Sequence, residues 1–231
     1  GQALLRYLRE YQGLPAEAPW GTMVGVRPTK LLHKYIDTYG SVHAATRHIR
    51  DEFSVSMEKL ATLGAIGEYQ RPFLADTDDK TVSLYCGIPF CDTRCVYCSF
   101  PYGLYQDYTD KSQFLTALGR DISDMKSIVT SYGLTVDTLY MGGGTPTVLG
   151  DEDFHQVLKQ LSILVPEGHE FTVEAGRPDS VNPRKIRSML DFGVNRISIN
   201  PQTMQDDILR RIGRGHSAQD IDELLQYVKV N

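Results

Sequence analysis

The sequence predicts an α/β protein in which parallel strands alternate with helices behind a small helical unit. Three observations lead there. From residue 81 onward, short apolar runs of strand length alternate with segments whose apolar residues recur at helical spacing. Residues 1–75 show the helical spacing alone, punctuated by turn residues. The residues capable of chemistry fall just after the strand-like runs, where a sheet of parallel strands carries its functional loops. Two domains follow: a small helical domain over 1–75 and a strand-and-helix core over 76–231, joined through the acidic stretch Asp76-Thr-Asp-Asp-Lys80.

In the helical domain, Leu4, Leu5 and Leu8 lead into Gly13, and Leu31, Leu32, Tyr35 and Ile36 share a face before Gly40. Met57, Leu60, Ala61 and Leu63 precede Gly64, which reads as a stop. Three to four short helices are expected. Arg27, Lys30, Lys34, Arg47 and Arg50 stand against Asp37 alone between Met23 and Arg50, which fits a solvated helix face or contact with phosphate.

In the core, strands are expected at residues 82–88, 136–141, 170–175 and 194–200. Helices between them are marked by Phe114, Leu118, Ile122 and Met125, by Phe154, Val157, Leu158 and Leu161, and by Ile186, Met189 and Leu190. Asn182-Pro183 opens the third of these and Gly193 closes it. Two further helices follow the fourth strand, the second opened by Ser217. Right-handed crossovers between parallel strands connect such units. Four strands do not close a barrel, and the helical pattern runs up to Asn231, so the chain reads as truncated at its C-terminus.

Composition excludes some functions. The chain of 231 residues is 41% hydrophobic and 23% charged, ordinary for a globular protein. Its net charge of −5 gives no support to nucleic-acid binding or to an anionic membrane surface. No apolar stretch approaches the roughly 20 residues of a membrane span. The expectation is a cytoplasmic protein with neither membrane nor nucleic-acid partners.

The first strand runs into Cys91-Asp-Thr-Arg-Cys95-Val-Tyr-Cys98, a C-x3-C-x2-C spacing. Thiolates are the ligands of iron–sulfur clusters, and three on one loop hold three irons of a [4Fe–4S] cube while the fourth stays open to a small ligand. Zinc would want a fourth ligand, and no second C-x-x-C or H-x-x-x-H completes one. Four cysteines in 231 residues make no disulfide framework. Cys86, inside the strand, reads as a packed thiol.

After the second strand comes Gly142-Gly-Gly-Thr-Pro-Thr147, which makes a tight turn or lets backbone approach a ligand. The third strand ends in Glu174 and Arg177, suited to ribose hydroxyls and a carboxylate, or to a surface ion pair. After the fourth, Gln202 can donate and accept at a ligand edge. Arg210, Arg211 and Arg214 follow on the next helix, and one of them suits a carboxylate clamp.

Together these residues resemble the HemN-type branch of the radical S-adenosylmethionine (SAM) proteins, and within it the HemZ group. That branch holds oxygen-independent coproporphyrinogen III oxidases and haem chaperones. The likeness extends to Trp20-Gly-Thr-Met-Val-Gly-Val-Arg-Pro-Thr-Lys30, outside the core, and to Val173-Glu-Ala-Gly-Arg-Pro-Asp179 and Asn195-Arg-Ile-Ser-Ile-Asn-Pro-Gln-Thr-Met204.

The resemblance implies a partial (β/α) radical SAM barrel. It implies a [4Fe–4S] cluster on Cys91, Cys95 and Cys98, with SAM touched by Tyr85, Gly143 and Glu174. Tyr97, Gly144, Thr145, Gln202 and Arg214 match positions that also hold SAM, some of them a second molecule. It implies an oxidoreductase that generates a 5′-deoxyadenosyl radical and converts coproporphyrinogen III to protoporphyrinogen IX in haem biosynthesis. Its partners would be coproporphyrinogen III or another tetrapyrrole, and an electron donor such as flavodoxin or ferredoxin. The alternative within the same branch is a haem chaperone that delivers haem without turnover.

Two positions depart from the oxidase pattern. Phe100 stands where the oxidases have a further cysteine, and is the residue type of the haem chaperones; Gly87 stands where they have a histidine. The chaperones' His-Asn-x-x-Tyr-Trp motif is missing too, since none of the six histidines precedes an asparagine.

Overall fold

The computed structural model describes residues 18–25, 27–75, 78–100 and 103–230, with residues 3, 4, 7, 10 and 11. Leu5, Leu8 and Gly13, expected in a first helix, lie outside the described residues, as do Asp76 and Thr77 of the acidic stretch. The chain divides into two compact units, Gly1–Asp78 and Asp79–Asn231.

The first unit contains α1 (Pro28–Tyr39), α2 (Val42–Phe53) and α3 (Met57–Ala75). Pro28 sits in the opening turn of α1, where a missing N–H is no loss. Ser41 caps α2 by accepting the Ala44 amide at 3.1 Å. Leu32, Ile36, Ala45, Ile49, Leu60 and Leu63 form the core. The expected stop at Gly64 is not one: α3 is 19 residues long and runs on past Gly64 to Ala75. Gly67 is a close-approach position, because a Cβ there would lie 2.3 Å from Cδ2 of the buried Leu32, whereas one on Gly64 would meet Val42 and Thr46 of α2 at ordinary contact distance. Pro72 lacks the N–H that would bond the carbonyl four residues earlier, and the helix ends three residues later, at Ala75.

The second unit contains β1 (Thr81–Ile88), β2 (Phe90–Cys91), β3 (Gly103–Leu104), α4 (Lys111–Tyr132), β4 (Thr135–Gly143), α5 (Asp151–Ser162) and β5 (Glu170–Glu174). It continues with α6 (Pro183–Asp191), β6 (Arg196–Ser198), α7 (Asp206–Arg211) and α8 (Ala218–Val230). Among the described residues β1, β4, β5 and β6 form one parallel sheet in that order, so strand order follows chain order. The expected parallel α/β architecture is present. The small parallel pair β2–β3 was not foreseen, because two-residue strands carry no periodicity.

Phe171, Thr172 and Val173 of β5 are all buried, as in a parallel strand covered on both faces. Leu139 and Met141 of β4 and Phe171 and Val173 of β5 share one cluster with Phe154, Leu158 and Leu161 of α5 and with Ile186 and Met189 of α6. Asn182 caps α6, its side chain accepting the Lys185 amide at 3.0 Å. No helix among the described residues is long and apolar enough to cross a membrane.

Phe154 is fully buried at the centre of that cluster. Phe154→Ala is expected to destabilise the second unit by about 3–5 kcal/mol, seen as a lower urea midpoint in circular dichroism.

Candidate functional site

The site begins where β1 and β4 end level, Ile88 opposite Gly143. The Gly144 amide donates to the Ile88 carbonyl at 2.8 Å, and the Thr145 amide donates to the Phe90 carbonyl at 2.7 Å. The Thr145 hydroxyl donates to Cys91 Sγ at 3.3 Å. Gly143 has φ +112°, a conformation that disfavours a side chain. A Cβ on Gly144 would stand 2.4 Å from the Phe90 carbonyl oxygen and 3.1 Å from Cys91 Sγ. The glycine triplet is therefore both a tight turn and a close approach to the cysteine loop.

At the end of β5, Glu174 accepts a 2.7 Å hydrogen bond from the Tyr140 hydroxyl on the neighbouring strand. Burial and this carboxylate push the Tyr140 phenol up to about 12. Tyr85 lies with its ring parallel to Tyr140, centroids 5.9 Å apart. Arg177 does not pair with Glu174. It is buried and reaches instead to Thr93 in the cysteine loop and to Asp179.

Arg214 lies beyond the C-terminal end of α7, in the loop that follows, whereas a helical position was expected. Its guanidinium donates to the Gly176 carbonyl and to the Tyr97 hydroxyl, each at 3.1 Å. The same loop accepts the Val96 amide on the Ile212 carbonyl at 3.1 Å and the Thr93 hydroxyl on the Gly213 carbonyl at 2.9 Å. Arg210 and Arg211 are exposed. Gln202 has φ +68°, a strained backbone for a residue with a side chain.

One pocket collects Cys91, Cys95, Cys98, Tyr97, Gly143, Gly144, Thr145, Glu174, Gln202 and Arg214. Of the expected residues Tyr85 alone does not line it; its link to the pocket runs through Tyr140 and Glu174. Thr93, Phe100, Arg177 and Asn200 line it as well. Tyr140 was missed because it reads as one more residue of a strand, and its pairing with Glu174 depends on the register between β4 and β5.

All four cysteines are free thiols. Burial pushes the Cys91 thiol up, against the Thr145 hydrogen bond and the Arg177 charge, which favour the thiolate. Burial pushes the Tyr97 phenol up too, opposed by Arg214. Cys86 is buried away from the pocket and is raised by burial to about 11.

The donor set suits an iron–sulfur cluster. Among the described residues no three His, Cys, Asp or Glu side chains gather where a single metal ion could be held. A cube bonds each thiolate to a different iron, so it wants sulfurs ringed around a cavity, as Cys91, Cys95 and Cys98 are.

Residues 85–231 match the Radical SAM superfamily. The chain belongs to that superfamily. Radical SAM proteins use a [4Fe–4S] cluster and SAM, and those are its cofactors. The chain is 33% identical to the oxygen-independent coproporphyrinogen-III oxidase-like protein HemZ of Bacillus subtilis over 95% of this chain and 44% of that protein. It is 35% identical to the heme chaperone HemW of the same species over 60% of this chain and 36% of that one. The solved coproporphyrinogen III oxidase HemN of Escherichia coli, a radical SAM enzyme, superposes with a TM-score of 0.59 at 25% identity. That match covers 68% of this chain and 36% of HemN. The chain thus spans less than half the length of these radical SAM relatives.

Gly144→Ala is expected to weaken SAM binding at least about tenfold, or roughly 1.4 kcal/mol, in anaerobic equilibrium binding to the reconstituted chain. Cys86, with its thiol raised to about 11, stays neutral at pH 8. Iodoacetamide at that pH should leave Cys86 unmodified in the native chain and label it in urea, read by peptide mass mapping.

Proposed function

We propose that this chain carries the cofactor site of a radical SAM oxidoreductase that decarboxylates coproporphyrinogen III oxidatively to protoporphyrinogen IX. The observation that carries the reading is the single pocket in which three thiols meet the glycine turn, Glu174, Gln202 and Arg214 at the C-terminal ends of parallel strands.

When bound, the reduced cluster and SAM together supply methionine and a 5′-deoxyadenosyl radical, which takes a hydrogen atom from the substrate. Cys91, Cys95 and Cys98 hold the cluster. The missing side chains at Gly143 and Gly144 let the methionine end of SAM come against backbone. Glu174, steadied by Tyr140, faces a ribose or an amine, and Arg214 a carboxylate. Gln202 adds a hydrogen-bonding edge. Tyr97 and Thr145 set the positions of Arg214 and Cys91 through the bonds described above.

Each of the two propionates that react loses one hydrogen atom, one electron and CO2 to leave a vinyl group. The electron passes to a one-electron acceptor, and a flavodoxin- or ferredoxin-class donor reduces the cluster. A reducing compartment such as the cytoplasm keeps the cysteines as thiols.

Phe100 at the pocket and the similarity to HemW favour a second reading, a haem chaperone. The test is anaerobic incubation of the reconstituted full-length protein with SAM, a reductant and coproporphyrinogen III. Protoporphyrinogen IX is expected, and Cys91→Ala should abolish it together with the cluster's absorption and EPR signals. Stable haem binding without protoporphyrinogen would replace the oxidase reading with the chaperone.

A further inference from the structure

Arg177 is a charge that cofactor binding does not account for. It follows β5 and is only 3% exposed. Its Nη1 donates to the Thr93 carbonyl at 3.3 Å and its Nη2 to the Thr93 hydroxyl at 2.8 Å. The same Nη2 lies 3.4 Å from Asp179 Oδ2. Both terminal nitrogens are engaged, so Arg177 is poorly placed to clamp a ligand carboxylate. Its Nε is buried without a partner.

A buried cation with an incomplete set of partners is costly, and an apolar side chain of similar volume would often be cheaper. Its position gives it a purpose. It lines the pocket that holds the three cysteines, and its bonds end on Thr93, between Cys91 and Cys95. Asp179 does not cancel it, because the Arg177 side chain is 4% exposed and that of Asp179 is 27%. Solvent screens the carboxylate more than the guanidinium. His216 stands 3.6 Å from Asp179, and burial lowers its pKa, so it is no second cation.

We infer that Arg177 sets the reduction potential of the cluster, its buried positive charge favouring the reduced state and its bonds to Thr93 fixing the cysteine loop. The step concerned is the uptake of one electron from the donor protein, which makes the cluster one unit more negative. A nearby buried cation stabilises that product over the oxidised form, and net charge and hydrogen bonding are what tune such potentials. The inference rests on the assignment of the cluster to Cys91, Cys95 and Cys98.

The experiment compares wild type, Arg177→Met, Arg177→Lys and Asp179→Asn. Each is reconstituted anaerobically, assayed for iron and sulfide, and titrated with dithionite while EPR follows the reduced cluster. Arg177→Met should move the midpoint potential to more negative values. Arg177→Lys should stay near wild type. Asp179→Asn, which removes the opposing charge, should move it to more positive values. Opposite signs are something that mere loosening of the loop does not produce. An unchanged midpoint in cluster-replete Arg177→Met overturns the inference, and so does a shift in the same direction for Arg177→Met and Asp179→Asn. If Arg177→Met fails to take up a cluster, Asp179→Asn decides alone: a midpoint that is unchanged or more negative overturns it. Failure of wild type to take up a cluster would refute the cluster assignment itself, a separate result.

Discussion

The level ending of β1 and β4 is the constraint on which the pocket depends. With Ile88 opposite Gly143, the cysteine loop and the glycine turn leave the sheet side by side. Two amides of the turn then bond back onto the carbonyls of the segment leading to Cys91. The contacts that forbid side chains at Gly143 and Gly144 are with backbone atoms, which cannot rotate out of the way as a side chain could.

The other walls are tied to this pair. Lys185 of α6 is buried and donates to the Thr147 carbonyl at 2.5 Å and the Ser180 carbonyl at 2.9 Å. It thereby joins the turn after β4 to the turn after β5, and burial pulls its pKa below the usual lysine range. Arg177 and Arg214 brace the cysteine loop from two further directions, through Thr93 and Tyr97. The loop between Cys91 and Cys98 is thus held by hydrogen bonds from two separate segments of chain, although it has almost no regular structure of its own.

Most of this was legible in the sequence where a residue's role follows from its neighbours in the chain. The four main strands, their helices and the cysteine and glycine loops follow from apolar spacing and from residue types that permit few uses. What stayed hidden depends on contacts across the fold. Gly64 looked like a stop because spacing cannot distinguish a helix end from a helix pressed against another helix. Arg177 reads equally well as a surface charge, since its bond to Thr93 joins residues far apart in the chain. Arg214 follows Arg210 and Arg211 in what reads as one helix, which ends at Arg211. Tyr85 and Tyr140 stack because β1 and β4 pair them in register, a relation between residues far apart in the chain.

Strand order in the sheet follows chain order, β1, β4, β5, β6. Each strand therefore meets a neighbour already made during ribosomal synthesis, and domains tend to build from the N-terminal end as the chain emerges. The cysteine loop comes out early with β1, and the glycine turn that fixes its root follows with β4. Glu174 and Arg177 arrive with β5, and Arg214, which bridges Gly176 and Tyr97, emerges after all of them. A ribosome paused before residue 214 would carry a chain with its pocket thiols in place and this brace not yet made, so among the bonds described the Arg214 brace forms last.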